Sequence, residues 1–347
     1  MANRYAKSAL ELPGAQMDEL LREADAFICA AGFEERARRV PLLASVRQNP
    51  VVIAFKNGPR ENDASFAAMK SRFSDTPGFE VCELDLANPG GFEFSFERSL
   101  RKLNNLNYGR VLLDISGLPN FAICIATMKV RAVLPFARLT LLYTEAEDYF
   151  PRRADFATMK HRAMRDKTIL FPNYMSDKAV STFIPPMFSG VTLGRNDTCL
   201  VAFVGYEPHR TNCVVDAANP SRLVMVYGEP EREDLKWRIE LSKIMHARLD
   251  RQFTKTEEVT SASEVDPSLN LLLEYYGYLY DDCVISVCPS NSKLQAVAAA
   301  LAWETYPDIQ LCFAVPATYL AKSFSSRFRS TFVVELGRPP QTRRFLG

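Results

Sequence analysis

A chain of 347 residues exceeds what one hydrophobic core comfortably supports and points to about two domains. Its hydrophobic fraction of 47% is that of an ordinary globular protein and excludes wholesale disorder. With 42 Lys and Arg against 41 Asp and Glu the net charge is +1, so no global basic excess draws the chain to nucleic acid or to an acidic membrane.

In chain order, the first 25 residues are mixed polar and lack the apolar core of a signal peptide. No stretch anywhere approaches the ~18 apolar residues that span a bilayer. A strand-like run at 27–31 ends in Gly32-Phe33-Glu34, with Arg36 just beyond. Asn49-Pro50 precedes a second run, 51–55, then Gly58-Pro59. Phe66, Met69 and Phe73 have helical spacing. The run 111–114 leads through Asp114-Ile115-Ser116-Gly117-Leu118-Pro119-Asn120 into a helix with Ile123, Thr127, Val130 and Leu134 on one face, and 139–143 is the next strand. The segment 151–197, basic at first and carrying Pro185-Pro186 later, reads as a connector.

The pattern then returns. Residues 200–204 end in Gly205-Tyr206-Glu207, with Arg210 beyond, and Asn219-Pro220 precedes 223–227 and Gly228. Residues 255–267, charged and then rich in Ser and Thr, read as a surface loop. The run 284–288 leads through Pro289-Ser290-Asn291-Ser292-Lys293 into a helix over 292–303, and 309–313 closes the series. Gly32 and Gly205 lie 173 residues apart, Asp114 and Cys288 174, Leu141 and Leu311 170. Blocks in one order at a near-constant offset predict an internal duplication. Each copy reads as strand, helix, strand, helix, strand, helix, strand. Short apolar strands alternating with helices imply mainly parallel sheets covered on both faces. The expected fold is α/β, two Rossmann-like units at 1–150 and 198–336 joined by the connector, with a frayed tail at 337–347.

Eight cysteines form no C-x-x-C pair, and most sit in apolar runs, which reads as reduced thiols in a cytoplasmic protein. His161, His209 and His246 are scattered, so no metal centre and no cofactor are expected. There is no P-loop and no G-x-G-x-x-G after the first strand. His209 is the histidine at a strand end. The runs 36–39 and 327–329 read as solvated basic faces.

Ligands of open parallel sheets bind beyond the carboxyl ends of the strands. Those ends hold two kinds of candidate. Asp114, Ser116, Gly117 and Asn120 in the first copy, and Ser290, Asn291 and Lys293 in the second, sit at strand-to-helix turns, where backbone N–H groups and a helix dipole favour phosphate. Ordinary helix capping uses the same residue types. Gly32, Glu34 and Arg36, mirrored by Gly205, Glu207 and Arg210, offer a tight strand exit, a carboxylate for a ribose hydroxyl or base amine, and a guanidinium for phosphate. Each Glu–Arg couple can equally be an ion pair. Glu145, Glu147 and Asp148 follow the last strand of the first copy and could bind magnesium, serve as acid and base, or form a solvated loop.

The turns at 114–120 and 288–293 resemble the fourth-strand signature of CRISPR-associated Rossmann-fold (CARF) sensor domains, with Lys293 near that family's lysine. The turns at 32–36 and 205–210 fall where the family places its other ligand loop. Copy one departs from the pattern, with Leu118-Pro119-Asn120 in place of the usual Gly-Thr-Lys. The resemblance implies a cyclic oligonucleotide or related nucleotide bound across a pseudo-two-fold groove. The leading expectation is a nucleotide-binding regulatory or sensor protein in bacterial antiviral defence. Alternatives are a nucleotide or nucleoside hydrolase or glycosidase using Glu34, Asp114 or Glu145, and a catalytically inert subunit of a protein complex. A protein partner and an oligomer both remain open.

Overall fold

The computed structural model describes residues 10–43, 49–103, 109–165, 176, 180–190, 195, 197–247, 249, 255–316 and 318–337. The tail beyond 337 lies outside the described residues. The elements of the first half are β1 (Leu10–Glu11), α1 (Gly14–Arg22), β2 (Ala26–Ala30), α2 (Glu35–Leu43), β3 (Pro50–Lys56), α3 (Arg60–Phe73), β4 (Glu80–Asp85), α4 (Gly90–Leu103), β5 (Arg110–Asp114), α5 (Asn120–Val133), β6 (Arg138–Thr144) and β7 (Asp148–Tyr149). Then come α6 (Arg153–Arg165) and β8 (Val180–Phe183). The second half has β9 (Asp197–Val204), α7 (Pro208–Ala218), β10 (Arg222–Glu229), α8 (Trp237–His246), β11 (Lys255–Ser261), α9 (Asp266–Leu279), β12 (Cys283–Pro289), α10 (Lys293–Thr305), β13 (Gln310–Leu311), β14 (Phe313–Pro316), β15 (Ser325–Ser326) and β16 (Thr331–Glu335).

The fold is α/β, with parallel sheets flanked by helices. The first sheet runs β1-β16-β6-β5-β2-β3-β4 and the second β11-β10-β9-β12-β13. Strands β2 to β6 pair parallel with one another, and so do β9 to β13. Taken in chain order, both halves place their strands fifth, fourth, first, second, third. Asp114 ends β5 and Cys288 lies near the end of β12, and these are corresponding strands.

Three elements differ from the sequence expectation. Each half has five parallel strands where four were expected. The third strand of the first half, β4, alternates, with Cys82 and Leu84 buried between exposed neighbours. Its equivalent, β11, occupies the stretch expected to be a loop. It is a sheet edge, and its Thr256, Glu257 and Val259 are exposed, as edge strands tolerate. Finally, β16, within the span assigned to the second unit, pairs antiparallel with β6 and closes the first sheet.

Each sheet buries both faces. The outer face of the first packs Phe27, Cys29, Val52 and Leu112 against Met17, Leu21, Val40, Met69 and Phe73 of α1 to α3. The outer face of the second packs Leu200, Ala202, Leu223 and Met225 against Val214 and Val215 of α7. The inner faces share one continuous core built on α4, α5, α9 and α10. Helices α5 and α10 are apolar nearly all round, which suits a helix with no wet side. Small residues on α10, Ala296 and Ala298 to Ala300, let α5 approach closely: Cys124 Sγ donates to the carbonyl of Ala296 at 3.2 Å.

The register of this seam sets the geometry of everything above it. Asn120 meets Asn291, Cys124 meets Ala296, and Arg131 meets Glu304. Those partners lie 171, 172 and 173 residues apart, so equivalent positions touch. The two helices therefore run in the same direction, and their N-termini open at the same end. Among the described residues, no helix is long and apolar enough to cross a membrane.

Glycine matters where β2 and β5 part. A Cβ on Gly117 would stand 2.8 Å from the carbonyl oxygen of Ala30, and one on Gly32 3.0 Å from Gly117 Cα. The two turns pass backbone to backbone. Gly117→Ala should cost about 1–3 kcal/mol of stability. Gly277→Ala in α9, where an added Cβ meets open space, should gain about 0.5–1 kcal/mol. Urea denaturation checks both.

Candidate functional site

The strand ends of both sheets border one cleft of about 830 Å³. The first half contributes Glu34 and Arg36 after β2, Pro119 and Asn120 at the start of α5, and Tyr143, Glu145 and Tyr149. The second contributes Gly205, Glu207 and Arg210 after β9, Gly228 near the end of β10, and Ser290, Asn291 and Lys293 at the start of α10. Gly32 and Gly117 line a smaller adjoining hollow, whose mouth includes Glu34 and Lys293.

Asp114 and Ser116 do not line the cleft. Asp114 Oδ1 accepts from the Ser116 backbone N–H at 2.9 Å, and Ser116 Oγ accepts from the Thr144 N–H at 2.8 Å. Both residues are buried, and they tie the β5 turn to β6. Asp114 Oδ2 is buried and accepts no hydrogen bond among the described residues. Burial pushes this carboxyl up to about 6, against the pull of Ser116, Lys293 and Arg36. In the second half Ser292 caps α10: its Oγ accepts from Gln295 N at 3.1 Å, and Gln295 Oε1 accepts from Ser292 N at 3.3 Å. No side chain caps α5.

The two rims hold each other. Asn120 Nδ2 donates to the carbonyls of Pro289 at 2.6 Å and Asn291 at 3.3 Å. Reciprocally, Lys293 Nζ donates to the carbonyl of Leu118 at 2.6 Å. Burial and the neighbouring Arg36 bring Lys293 down to about 7, although Glu34 and Asp114 act in the other direction.

Both Glu–Arg couples are ion pairs. Arg36 forks onto Glu34 with two bonds of 3.0 Å, and its third nitrogen faces the hydroxyls of Tyr143 and Tyr149 at 3.3 and 3.5 Å. Burial alone would raise Glu34, but Arg36, Lys293 and hydrogen bonds from Arg36 and Ser325 hold it below the ordinary range. Glu34 is therefore a poor proton donor. Arg36 was expected on a solvated basic face. It is instead buried, because Glu34 and two tyrosines enclose it. Glu207 pairs with Arg210 at 3.6 Å and accepts from the backbone and hydroxyl of Ser176 at 3.1 and 3.3 Å. His209 lies against Ser176 Oγ at 3.1 Å. Burial lowers its affinity for a proton. Glu145 faces the cleft, and burial raises its carboxyl against Arg232 and Arg329. Asp148 is held low, chiefly by its hydrogen bond from Arg327. Among the described residues no group of three or more His, Cys, Asp or Glu is placed to hold a metal ion.

Sequence reasoning missed Arg238. It donates to the carbonyls of Phe150 and Pro151 at 3.0 and 3.1 Å and lies over the rings of Tyr149, Tyr206 and Trp237. Among the described residues neither Arg238 nor Lys293 has a carboxylate within ion-pair distance. It also missed Tyr319 and Phe324, which line both cavities. Nothing in a 3.6- or 2-residue period marks these positions. Arginine beside tryptophan at 237–238 was the available signal. Among the described residues the cleft thus offers three cations outside any ion pair, Arg238, Lys293 and Arg329, with paired charges of both signs, aromatic side chains and two helix N-termini.

Neither a protein family nor a curated protein matches the chain. Solved structures match at low identity. Can2 from Sulfobacillus thermosulfidooxidans, in complex with cyclic tetra-adenylate, is 14% identical over 41% of this chain and 38% of its own, with a TM-score of 0.25. Enterococcus italicus Csm6, bound to cyclic hexa-2'-fluoro-hexa-dAMP, is 15% identical over 33% of each chain, with a TM-score of 0.27. A type III CRISPR defence DNA nuclease activated by cyclic oligoadenylate is 10% identical over 80% of this chain and 63% of its own, with a TM-score of 0.46. This chain thus covers less than two thirds of the length of each.

The buried Asp114 predicts a pH effect on stability. Its folded value, about 6, lies above the ordinary carboxylate value of 3.8, so the folded state holds the proton more tightly. The associated stability is present in acid and is lost as pH rises through about 6. The loss should be on the order of 3 kcal/mol. Asp114→Asn should flatten that part of the profile in denaturant titrations across this pH range.

Proposed function

We propose that the chain is a nucleotide sensor whose ligand, a cyclic oligonucleotide, lies in the cleft between the two strand rims. The observation that carries this reading is the adjacency of the α5 and α10 N-termini at one cleft, with Lys293 between them and the first rim. Each helix start brings partial positive charge and backbone N–H groups, which suit phosphate. A ring of repeated phosphates matches a cleft flanked by two equivalent rims. Lys293 and Arg238 supply the phosphate-binding cations, because Arg36 and Arg210 already hold carboxylates. Tyr319 and Phe324, half-buried at the cleft, supply faces for bases.

The turns at 114–120 and 288–293 also resemble those of CARF domains, which supports a regulatory role in bacterial antiviral defence. In this reading the common strand order of the halves reflects internal duplication of one Rossmann-like unit. The units are 1–150 and 198–336 joined by 151–197, with β16 lent back to the first sheet.

Isothermal titration with cyclic tetra-adenylate should give one ligand per chain. Lys293→Met should weaken binding roughly tenfold or more, since a charge-assisted hydrogen bond is lost. Wild-type affinity should fall as pH rises through about 7, where Lys293 loses its proton, and the variant should lack that step. Absence of heat with cyclic oligonucleotides of several sizes would count against the proposal, as would unchanged binding by a folded Lys293→Met protein.

A further inference from the structure

A hollow of about 70 Å³ opens off the cleft where β2 and β5 part, the topological switch point of the first sheet. Phe55, Leu86, Leu118 and Pro119 wall it, and Tyr319 and Phe324 stand at its mouth. Phe324 is itself braced edge-on by Phe33, with ring centres 4.9 Å apart.

Asn62 is the exception on this apolar wall. It lines the hollow but not the cleft, so it lies away from the shared mouth. It sits in the first turn of α3 and is 3% exposed. Gly58 makes room for its amide, because a Cβ there would stand 2.6 Å from Asn62 Nδ2. Yet Asn62 Oδ1 is buried and accepts no hydrogen bond among the described residues. Buried polar atoms are normally satisfied, so an orphan at the wall of a cavity points to a partner brought by a ligand.

The chemistry of that partner follows from the amide. It sets an acceptor beside a donor. A 6-aminopurine sets a donor, the exocyclic amine, beside a ring-nitrogen acceptor, and an asparagine amide reads that edge with two bonds. A 6-oxopurine offers two acceptors on the same edge and leaves Oδ1 unpaired. A hollow of about 70 Å³ is too small for a whole purine, so a base whose amino edge entered it would leave its body in the mouth beside Tyr319 and Phe324. We propose that this hollow is a base-reading subsite for the amino edge of a 6-aminopurine, with Asn62 as the specificity-determining residue. The proposal rests on the nucleotide reading of the cleft and adds to it which base one rim selects.

The test compares cyclic tetra-adenylate with cyclic tetra-inosinate, which differ at that edge, on the full chain and on Asn62→Leu. Wild type should bind the adenylate roughly tenfold or more tightly. Asn62→Leu should bring the two ligands to equal affinity, with melting temperature unchanged or raised because an unsatisfied amide is gone. Equal binding by wild type, or discrimination that survives in Asn62→Leu, overturns the subsite and leaves the cleft proposal standing. If neither cyclic ligand binds, the cleft proposal falls, and free adenosine against inosine decides the subsite. Asn62-dependent preference for adenosine in ligand-observed NMR sustains it, and no preference overturns it.

Discussion

Two helices from the two halves lie side by side and point the same way. That constraint, more than any single residue, determines what the molecule can bind. Parallel helix dipoles repel, and each end places like partial charges together, equivalent to about half a charge apiece. The sequence offsets this at both ends. At the C-terminal ends Arg131 reaches across to Glu304 with two bonds of 2.8 Å and takes the carbonyl of Gly337 at 2.8 Å with a further nitrogen. A cation there answers the carbonyl-rich helix ends and neutralises the acid in the last turn of α10. At the N-terminal ends Asn120 and Lys293 exchange bonds with carbonyls of the opposite rim. The positive ends are left facing the cleft.

Because equivalent positions touch along the seam, the carboxyl ends of both sheets open on the same side. Chemistry in the cleft is then a matter of which charges are already committed. Arg36 and Arg210 are held by Glu34 and Glu207, and breaking either pair would strand a buried carboxylate. These couples tie the rims, whereas Lys293 and Arg238 have no carboxylate within ion-pair distance among the described residues. Burial, with Arg36 nearby, keeps Lys293 easily deprotonated near neutrality.

Much of this was legible in the residues. The repeated Gly-aromatic-Glu turns and the near-constant offset mark corresponding strands, and ten of the candidate residues, including Asn120, Glu207 and Lys293, line one cleft. What escaped was directional. Asp114 and Ser116 mark a strand-to-helix turn correctly, but sequence does not say whether a turn's side chains face out or hold its own backbone, and here they do the latter. β11 escaped because an edge strand's exposed charges look like a loop. β16 pairs with a strand nearly two hundred residues earlier, a contact without local signature. Arg36 sits in a basic run, and Tyr143 and Tyr149, distant in sequence, turn it inward.

The parallel seam is open to a direct test through a double-mutant cycle between Arg131 and Glu304. Stabilities of the native chain, Arg131→Met, Glu304→Gln and the double variant are measured in denaturant. Side-by-side helices of one direction predict a coupling of about 1–3 kcal/mol between these positions. Additive effects in folded proteins would mean that the helix ends do not meet and that the two rims need not share a cleft.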